Sequence, residues 1–219
     1  MEWTGAVLVG GASRRMGRAK QELVAACGRT WRERALAALA EAGASQLLLV
    51  GGEPPMLPGE GPRGDGASRE EHTARALHVP DRYPGEGPLA GLEAALRAAS
   101  TPWCLVVACD MPALDPASLR RLWEGVLSDS GPARPLAVVP VVEGRLQPLH
   151  ALYHRDALPQ VEEALAAGRR SLTALVEALP ARLLVSAAGP SFLNANTPED
   201  LEALAPELRT PGLTPPRTA

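Results

Sequence analysis

The chain has 219 residues, 46% of them hydrophobic and 21% charged, which is enough for one globular domain with a sizeable core. Its net charge of −3 excludes a generally basic protein, so neither a nucleic acid nor a membrane is expected as a partner. The three cysteines have no metal-ligand spacing, and no apolar run approaches the roughly 20 residues of a membrane span. No signal-like segment opens the sequence, so we expect a cytoplasmic protein.

Strand and helix patterns alternate along the chain. The strand patterns are continuous apolar runs, which is typical of a mostly parallel sheet covered on both faces, and the fold class is therefore α/β. Ligands of such sheets bind beyond the carboxyl ends of the strands. In chain order we predict a strand at 6–9, a helix at 31–43, a strand at 46–50, a helix at 91–99, a strand at 103–109, a helix at 115–127, strands at 135–141 and 146–153, helices at 157–168 and 171–179, a strand at 181–186 and a helix at 197–205.

Two segments interrupt this alternation. Residues 51–76 are rich in Gly, Pro and charged side chains and exceed an ordinary connection, so we expect a long mobile loop. Residues 206–219 have no periodicity and are predicted to form a flexible C-terminal tail. The remaining pattern predicts a single domain over residues 1–205.

The segment AVLVGGASRRMGRAK (residues 6–20) combines a strand, two glycines and a cluster of cations. Gly10 and Gly11 follow the strand directly, where they let the backbone approach a ligand and turn its N–H groups towards an anion. The spacing matches neither the usual phosphate-binding loop nor a G-x-G-x-x-G dinucleotide site. A triphosphate suits the segment best, and a solvated surface loop is the alternative. The cations are Arg14, Arg15, Arg18 and Lys20.

Two aspartates follow predicted apolar stretches elsewhere in the chain. Asp110 comes directly after the buried strand WCLVVAC, where α/β proteins place ligands, and its compact carboxylate suits Mg²⁺. Asp81 precedes a glycine-rich entry to a helix. The alternative for each is a turn-forming or capping aspartate. Together with the cationic loop, the two carboxylates indicate a nucleotide–metal site.

The histidines and the strand cysteines carry no predicted chemistry. The four histidines lack the spacing of a transition-metal site, and we expect them on the surface or packed in the core. Cys104 and Cys109 lie on an apolar strand and are predicted to be core residues.

Four blocks of the sequence resemble the molybdenum cofactor guanylyltransferases. The blocks LVGGASRRMGRAK, PDRYPGEGPLAGL, ACDMPAL and FLNANTPEDL occur in the family's order and span Leu8 to about Leu201. The resemblance implies a Rossmann-like, three-layer nucleotidyltransferase fold. It also implies transfer of GMP from MgGTP to molybdenum-bound molybdopterin, which releases pyrophosphate. GTP and molybdopterin are then the substrates, Mg²⁺ is the cofactor, and maturation proteins of molybdoenzymes are candidate partners.

The matching positions imply roles for individual residues. Arg15, Lys20 and Asp110 would be catalytic, and Asp110 would also hold the metal. The nucleotide site would be formed by Leu8, Val9, Gly10, Gly11, Lys20, Asp81 and Asp110. Candidates for holding the pterin are Gln147, Arg169, Arg170, Asn194 and Asn196; for the glutamine and the arginines the alternative is solvated surface, and for the asparagines it is a turn.

Three positions depart from the family pattern. Ala19 stands where the family usually has Asp, Gly51 stands near the place of an Asn that ends the second strand, and Val9 replaces a residue of the family's glycine turn. Two alternatives therefore stay beside the guanylyltransferase. One is a cytidylyltransferase or sugar-phosphate nucleotidyltransferase on the same fold, and the other is a non-catalytic nucleotide-binding module.

Overall fold

The computed structural model describes residues 2–9, 30–52, 75–128 and 134–195. In these ranges the centre of the protein is an eight-stranded sheet. Its strands are β1 (Trp3–Leu8), β2 (Gln46–Val50), β3 (Leu77–Val79), β4 (Trp103–Ala108), β5 (Ala137–Val142), β6 (Arg145–Leu146), β7 (His150–His154) and β8 (Ala181–Ser186).

The sheet is mostly parallel, as predicted. Strands β3, β2, β1 and β4 are neighbours in that order and run parallel. Strand β7 is antiparallel to both β4 and β5, and β8 is parallel to β5, so six of the eight strands share one direction. The short β6 pairs antiparallel with the end of β5. The carboxyl ends of β1 to β4 therefore meet at one edge of the sheet.

Helices cover both faces of the sheet. They are α1 (Trp31–Ala42), α2 (Pro88–Ala98), α3 (Pro116–Leu127), α4 (Leu158–Ala166) and α5 (Leu172–Ala178). Alternate residues of β1 enter two separate cores: Ala6 and Leu8 pack with α2, α4 and α5, while Val7 and Val9 pack with α1 and α3. This alternation is the two-residue period of a strand buried on both faces. The predicted α/β fold with three layers is confirmed.

Local signals set several helix ends where the sequence predicts them. Thr30 and Glu33 form a capping box at the start of α1, and Gly43 ends the helix with a φ of 106°. The Asp115 side chain accepts hydrogen bonds from the backbone N–H groups of Ala117 and Ser118 and caps α3.

Some predicted boundaries are wrong. The predicted strand at 146–153 is two strands, because Pro148 has no backbone N–H and residues 147–149 form a turn between β6 and β7. Helix α2 begins at Pro88 rather than at Gly91, since Gly87 has a φ of 82° and proline favours the first helical position. Strand β1 begins at Trp3, three residues before the predicted start.

Other predictions concern single side chains and terminal segments. Cys104 and Cys109 are buried, as predicted, and so are His150 and His154. The predicted helix at 197–205, the tail at 206–219 and most of the loop at 51–76 lie outside the described residues. No helix in the described ranges is long and apolar enough to cross a membrane.

The close approach of α1 to β1 makes Gly5 a sensitive position. A Cβ on Gly5 would lie 3.1 Å from Leu39 Cβ and 3.2 Å from Ala44 Cβ. We expect Gly5→Ala to lower the free energy of unfolding by about 1–3 kcal/mol through overpacking, which exceeds the entropic gain of about 0.5 kcal/mol. Urea unfolding measures the difference. Gly189→Ala is the control, because nothing lies within 4 Å of its Cβ position, and equal losses for both variants would contradict the packing argument.

Candidate active site

The carboxyl ends of four parallel strands form the frame of the candidate site. Val9, Gly51, Asp81 and Asp110 follow β1, β2, β3 and β4 respectively. Hydrogen bonds continue the sheet past the strand ends: Val9 N donates to Val50 O at 2.8 Å, Gly51 N to Val79 O at 2.9 Å and Cys109 N to Leu8 O at 3.2 Å. The two aspartates therefore lie at the same edge as the start of the glycine loop.

Gly51 allows the backbone to cross this edge closely. Its φ is 77°, and a Cβ there would lie 2.7 Å from the backbone oxygen of Val9 and 3.9 Å from Asp81 Cβ. A side chain at this position would displace the first residue of the loop that follows β1. The structure thus gives a physical reason for glycine at this departure from the family pattern. It also shows that Asp81 lies over the end of β2.

The side chains of Leu8 and Val9 belong to the two cores. Leu8 is 8% exposed and packs against Gly91 of α2, where a Cβ would lie 3.0 Å from Leu8 Cδ1. Val9 is 2% exposed and packs in the core of α1 and α3. Their contribution at this edge is therefore to fix the backbone that leads into the loop. Gly10, Gly11, Arg15 and Lys20 lie outside the described residues.

Asp81 forms a tight turn with the residues that follow it. Its Oδ1 accepts a hydrogen bond from Tyr83 N at 2.8 Å, and Glu86 N donates to Tyr83 O at 3.1 Å. This is the turn-forming role that the sequence left as an alternative. The turn leaves the half-buried carboxylate at the sheet edge.

Two ion pairs fasten the loop at residues 80–87, which carries Asp81. Arg82 donates from its NH1 atom to Glu93 Oε1 of α2 at 2.8 Å. Glu86 pairs with Arg170, which follows α4. The loop is thus tied to two helices of one face.

The predicted pterin candidates Arg169 and Arg170 lie beside this loop. Arg170 pairs with Glu86 and also donates to the backbone oxygens of Leu165 and Arg169, both at 2.9 Å. Arg169 is exposed and forms a 3.5 Å ion pair with Glu163. In this structure Arg170 holds the loop at 80–87, and Arg169 lies on the surface.

The amino end of α2 faces the same edge of the sheet. Gly87 precedes the helix and provides no side-chain cap, and Pro88 is its first residue. No side chain of the described residues caps this helix end, and its partial positive charge favours an anion, in agreement with a site for a phosphorylated ligand.

Asp110 is held through its backbone. Its oxygen accepts a hydrogen bond from Ala195 N at 2.9 Å, which brings the exposed Asn194 beside it. Gln147 lies in the turn that borders the end of β4, because Ala108 N donates to Leu149 O at 3.1 Å. The structure therefore places Asn194 and Gln147 near Asp110, and Asn196 lies outside the described residues.

A small polar cluster fixes the segment that carries Asn194. Ser191 Oγ accepts from Asp115 N at 3.1 Å and lies 2.8 Å from Ser118 Oγ, which is itself 3.3 Å from His150 Nε2. The His150 ring packs against Phe192, with 4.6 Å between the ring centres. Burial lowers the pKa of His150 to about 4, although the backbone of Ser191 and the charge of Asp115 act in the opposite direction.

A cavity of about 410 Å³ lies between α3 and the segment that follows β8. Its lining includes Ser118, Arg121, Leu184 and Phe192. It is next to the polar cluster and therefore lies on the side of Asp110 that carries Asn194. A cavity of this size can accommodate a small organic ligand.

The described residues contain no group of three His, Cys, Asp or Glu side chains that could hold a metal ion. Among the described residues at this edge, Asp110 is the carboxylate that follows the central strand β4. Carboxylate oxygen is the donor that Mg²⁺ uses in such sites, so Asp110 fits this role.

Comparison with protein families decides the class of this site. The model of the MobA-like NTP transferase domain matches residues 5–191, which is most of the chain and includes every strand-end residue described above. The chain belongs to this family. It is therefore a nucleotidyltransferase, and the resemblance found in the four sequence blocks is confirmed.

Individual members of the MobA-like family cover nearly the same span. A probable molybdenum cofactor guanylyltransferase from Opitutus terrae is 37% identical over 80% of this chain and 78% of that protein. A protein of the same name from Halalkalibacterium halodurans is 34% identical over 90% of this chain and 94% of that protein. The crystal structure of molybdopterin-guanine dinucleotide biosynthesis protein A from Archaeoglobus fulgidus has a TM-score of 0.68 and 28% identity, covering 93% of this chain and 97% of that one.

Sequence reasoning missed the residues that hold this MobA-like site in place. These residues are Glu93, Glu86 and Ser191. None of them contacts a predicted site residue that is nearby in the sequence, so the spacing of residues along the chain does not reveal their partners. One signal was present for Glu93: it is a charged residue on the apolar stripe of α2, between Leu89 and Leu96.

We expect Gly51→Ala to disturb the start of the glycine loop. The new Cβ would collide with Val9 O. The free energy of unfolding should therefore fall by about 1–3 kcal/mol beyond the loss that a positive φ alone causes for alanine. Gly144→Ala is the matched control, since its φ of 74° is nearly that of Gly51 and nothing lies within 4 Å of its Cβ position. Urea unfolding compares the two, and losses of the same size would show that only backbone strain acts at Gly51.

Burial of His150 predicts an acid-sensitive fold. Between pH 6.5 and about 4 the unfolded chain binds a proton that the folded chain excludes, so stability falls as pH falls through this window. The loss from this residue is roughly 3 kcal/mol. Urea unfolding at pH 7 and pH 4.5 should show a weaker pH dependence for His150→Gln than for wild type. An unchanged slope in His150→Gln would contradict the assignment.

Proposed function

We propose that this protein transfers GMP from GTP to molybdenum-bound molybdopterin, forming molybdopterin guanine dinucleotide and pyrophosphate. The observation that carries the proposal is the position of Asp81 and Asp110 on either side of Val9, where the glycine loop begins. The names of the relatives support this acceptor and this nucleotide.

The nucleotide would lie across the ends of β1 and β2. Gly51 keeps this surface free of a side chain, and Asp81 offers an acceptor for nucleotide hydroxyl or amino groups. The open amino end of α2 favours the negative charge of the ligand. Arg15 and Lys20, by their positions in the family motif, would hold the phosphates.

The acceptor would lie on the other side of Asp110. Asn194 and Gln147 border this side, and the cavity beside Phe192 offers apolar walls for a flat ring together with the Arg121 guanidinium for an acidic group. This arrangement would bring the terminal phosphate of molybdopterin towards the α-phosphate of GTP.

Asp110 would hold Mg²⁺ together with substrate phosphates. When bound, Mg²⁺ would neutralise negative charge on the phosphates during the transfer. Mg²⁺ in phosphoryl-transfer sites is commonly bound by one or two carboxylates together with substrate phosphates, which is the role proposed for Asp110.

The reaction requires positioning and charge rather than a covalent enzyme intermediate. A terminal phosphate oxygen of molybdopterin forms a bond to the α-phosphorus, the bond from that phosphorus to the bridging oxygen breaks, and pyrophosphate leaves with the electron pair. Arg15 and Lys20 would stabilise the charge on the phosphates and the leaving group. Fixed alignment of the two reactants would supply much of the remaining rate enhancement.

We expect Asp110→Asn to reduce Mg²⁺-dependent GMP transfer by at least about 100-fold, because the variant removes the carboxylate charge at the metal position. The melting temperature of the variant is measured alongside, so that a loss of activity is distinguished from a loss of fold. Release of pyrophosphate from GTP, with and without molybdopterin and Mg²⁺, measures the activity.

Asp156→Asn provides the control for that experiment. Asp156 follows β7 at the opposite edge of the sheet and is largely exposed, so its variant should retain wild-type activity. Near wild-type transfer by Asp110→Asn would contradict the proposed role. Efficient transfer from CTP in place of GTP would favour the cytidylyltransferase alternative, and binding of nucleotide without pyrophosphate release would favour the non-catalytic module.

A further inference from the structure

A buried carboxylate on α2 holds the loop that carries Asp81. The Glu93 side chain is 1% exposed and lies on the apolar side of the helix. Its Oε1 accepts hydrogen bonds from Arg82 and Arg97, both at 2.8 Å. Its Oε2 is buried and has no hydrogen-bond partner among the described residues. The carboxylate is thus committed to these two arginines.

We propose that Glu93 is a positioning residue for the nucleotide: it holds Arg82 and thereby sets the place of Asp81 over the end of β2. This inference rests on the proposed function, in which Asp81 contacts the nucleotide. The mechanical link is short, since Arg82 is the residue after Asp81 and lies inside the turn closed by the 2.8 Å bond from Tyr83 N to Asp81 Oδ1. The contact at the Arg82 guanidinium therefore restrains the backbone of this turn one residue away from Asp81.

A purely structural role explains the carboxylate poorly. Removing a carboxylate from water costs free energy, and apolar residues of similar volume often stabilise a core position equally well or better. Arg82 and Arg97 are each about half exposed, at 49% and 47%, so they do not need a buried partner for their own charges. Glu93 provides a fixed partner for Arg82, which an apolar residue at this position would not provide.

The chain offers a matched control in the same network. Arg97 also pairs with Glu162 of α4, and Glu162 is not a partner of Arg82, which bonds to Glu93. Replacing Glu162 removes one ion pair of α2 and leaves the bond from Arg82 to Glu93 intact. Replacing Glu93 removes that bond directly.

The test uses the full chain with Glu93→Met, Arg82→Met, the double variant and the control Glu162→Met. Methionine matches glutamate in length and accepts no strong hydrogen bond, so Glu93→Met should keep or raise the melting temperature. Hydrogen exchange of the peptide covering residues 80–90 should become faster in Glu93→Met and Arg82→Met. The control should exchange at the wild-type rate.

Kinetics and binding then separate positioning from folding. We expect the KM for GTP to rise about tenfold in each single variant, while kcat changes less than about threefold. The dissociation constant of GTP should rise in parallel. Because both residues act through one contact, the double variant should resemble either single variant rather than show the product of their effects.

Several results would overturn the proposal. A changed melting temperature in Glu93→Met with wild-type exchange at 80–90 and wild-type GTP affinity would show a structural role only. Multiplicative effects in the double variant would show that Glu93 does not act through Arg82. If Glu93→Met does not fold, Arg82→Met decides alone, and unchanged exchange in that variant refutes the link. If wild type binds GTP but does not transfer GMP, the proposed function is wrong. Hydrogen exchange and GTP affinity of the variants then still test the positioning role of Glu93.

Discussion

The parallel pairing of β1 with β2 and β4 is the interaction on which the candidate site depends. β1 pairs in register with β2 from Thr4 to Leu8 and with β4 along its whole length. The hydrogen bonds continue one residue beyond the strands, from Val9 N to Val50 O and from Cys109 N to Leu8 O. The segments that follow these three strands therefore leave the sheet side by side. This pairing places Val9, the residue before Gly10, at the same edge as Asp110.

Most elements of the fold could be predicted because their signals are local. Gly43 ends α1 and Asp115 starts α3 through bonds within a few residues, and continuous apolar runs mark the strands. The prediction of one strand at 146–153 is wrong because the apolar pattern continues through Pro148, whereas the strand itself is interrupted there. Asp81 and Asp110 could be singled out because the positions of residues after strands can be read from the sequence. Arg170 could not be paired with Glu86, since 84 residues separate them and only the packing of α4 brings them together.

The candidate site joins two parts that are held by different forces. On the Asp110 side the ties are backbone hydrogen bonds to Ala195 and within the sheet, which break only when the surrounding structure opens. On the Asp81 side the ties are ion pairs of Arg82 and Arg170, whose side chains are about half and more than a third exposed. Water and salt screen the pair of Arg170 with the half-exposed Glu86 more than the pair of Arg82 with the buried Glu93. Backbone hydrogen bonds thus hold the Asp110 side, and side-chain ion pairs hold the loop at 80–87.

This division suits a reaction that proceeds without an enzyme-bound intermediate. Transfer of a nucleotidyl group depends on charges that are already in place when the reacting atoms meet, because reorganising them would consume the energy they supply. The reacting phosphate would meet the Asp110 side, which backbone hydrogen bonds hold. The nucleoside would meet Asp81, which is farther from the bond that breaks. In the role proposed for it, the buried Glu93 would keep the half-exposed Arg82, and with it Asp81, in place before a ligand binds.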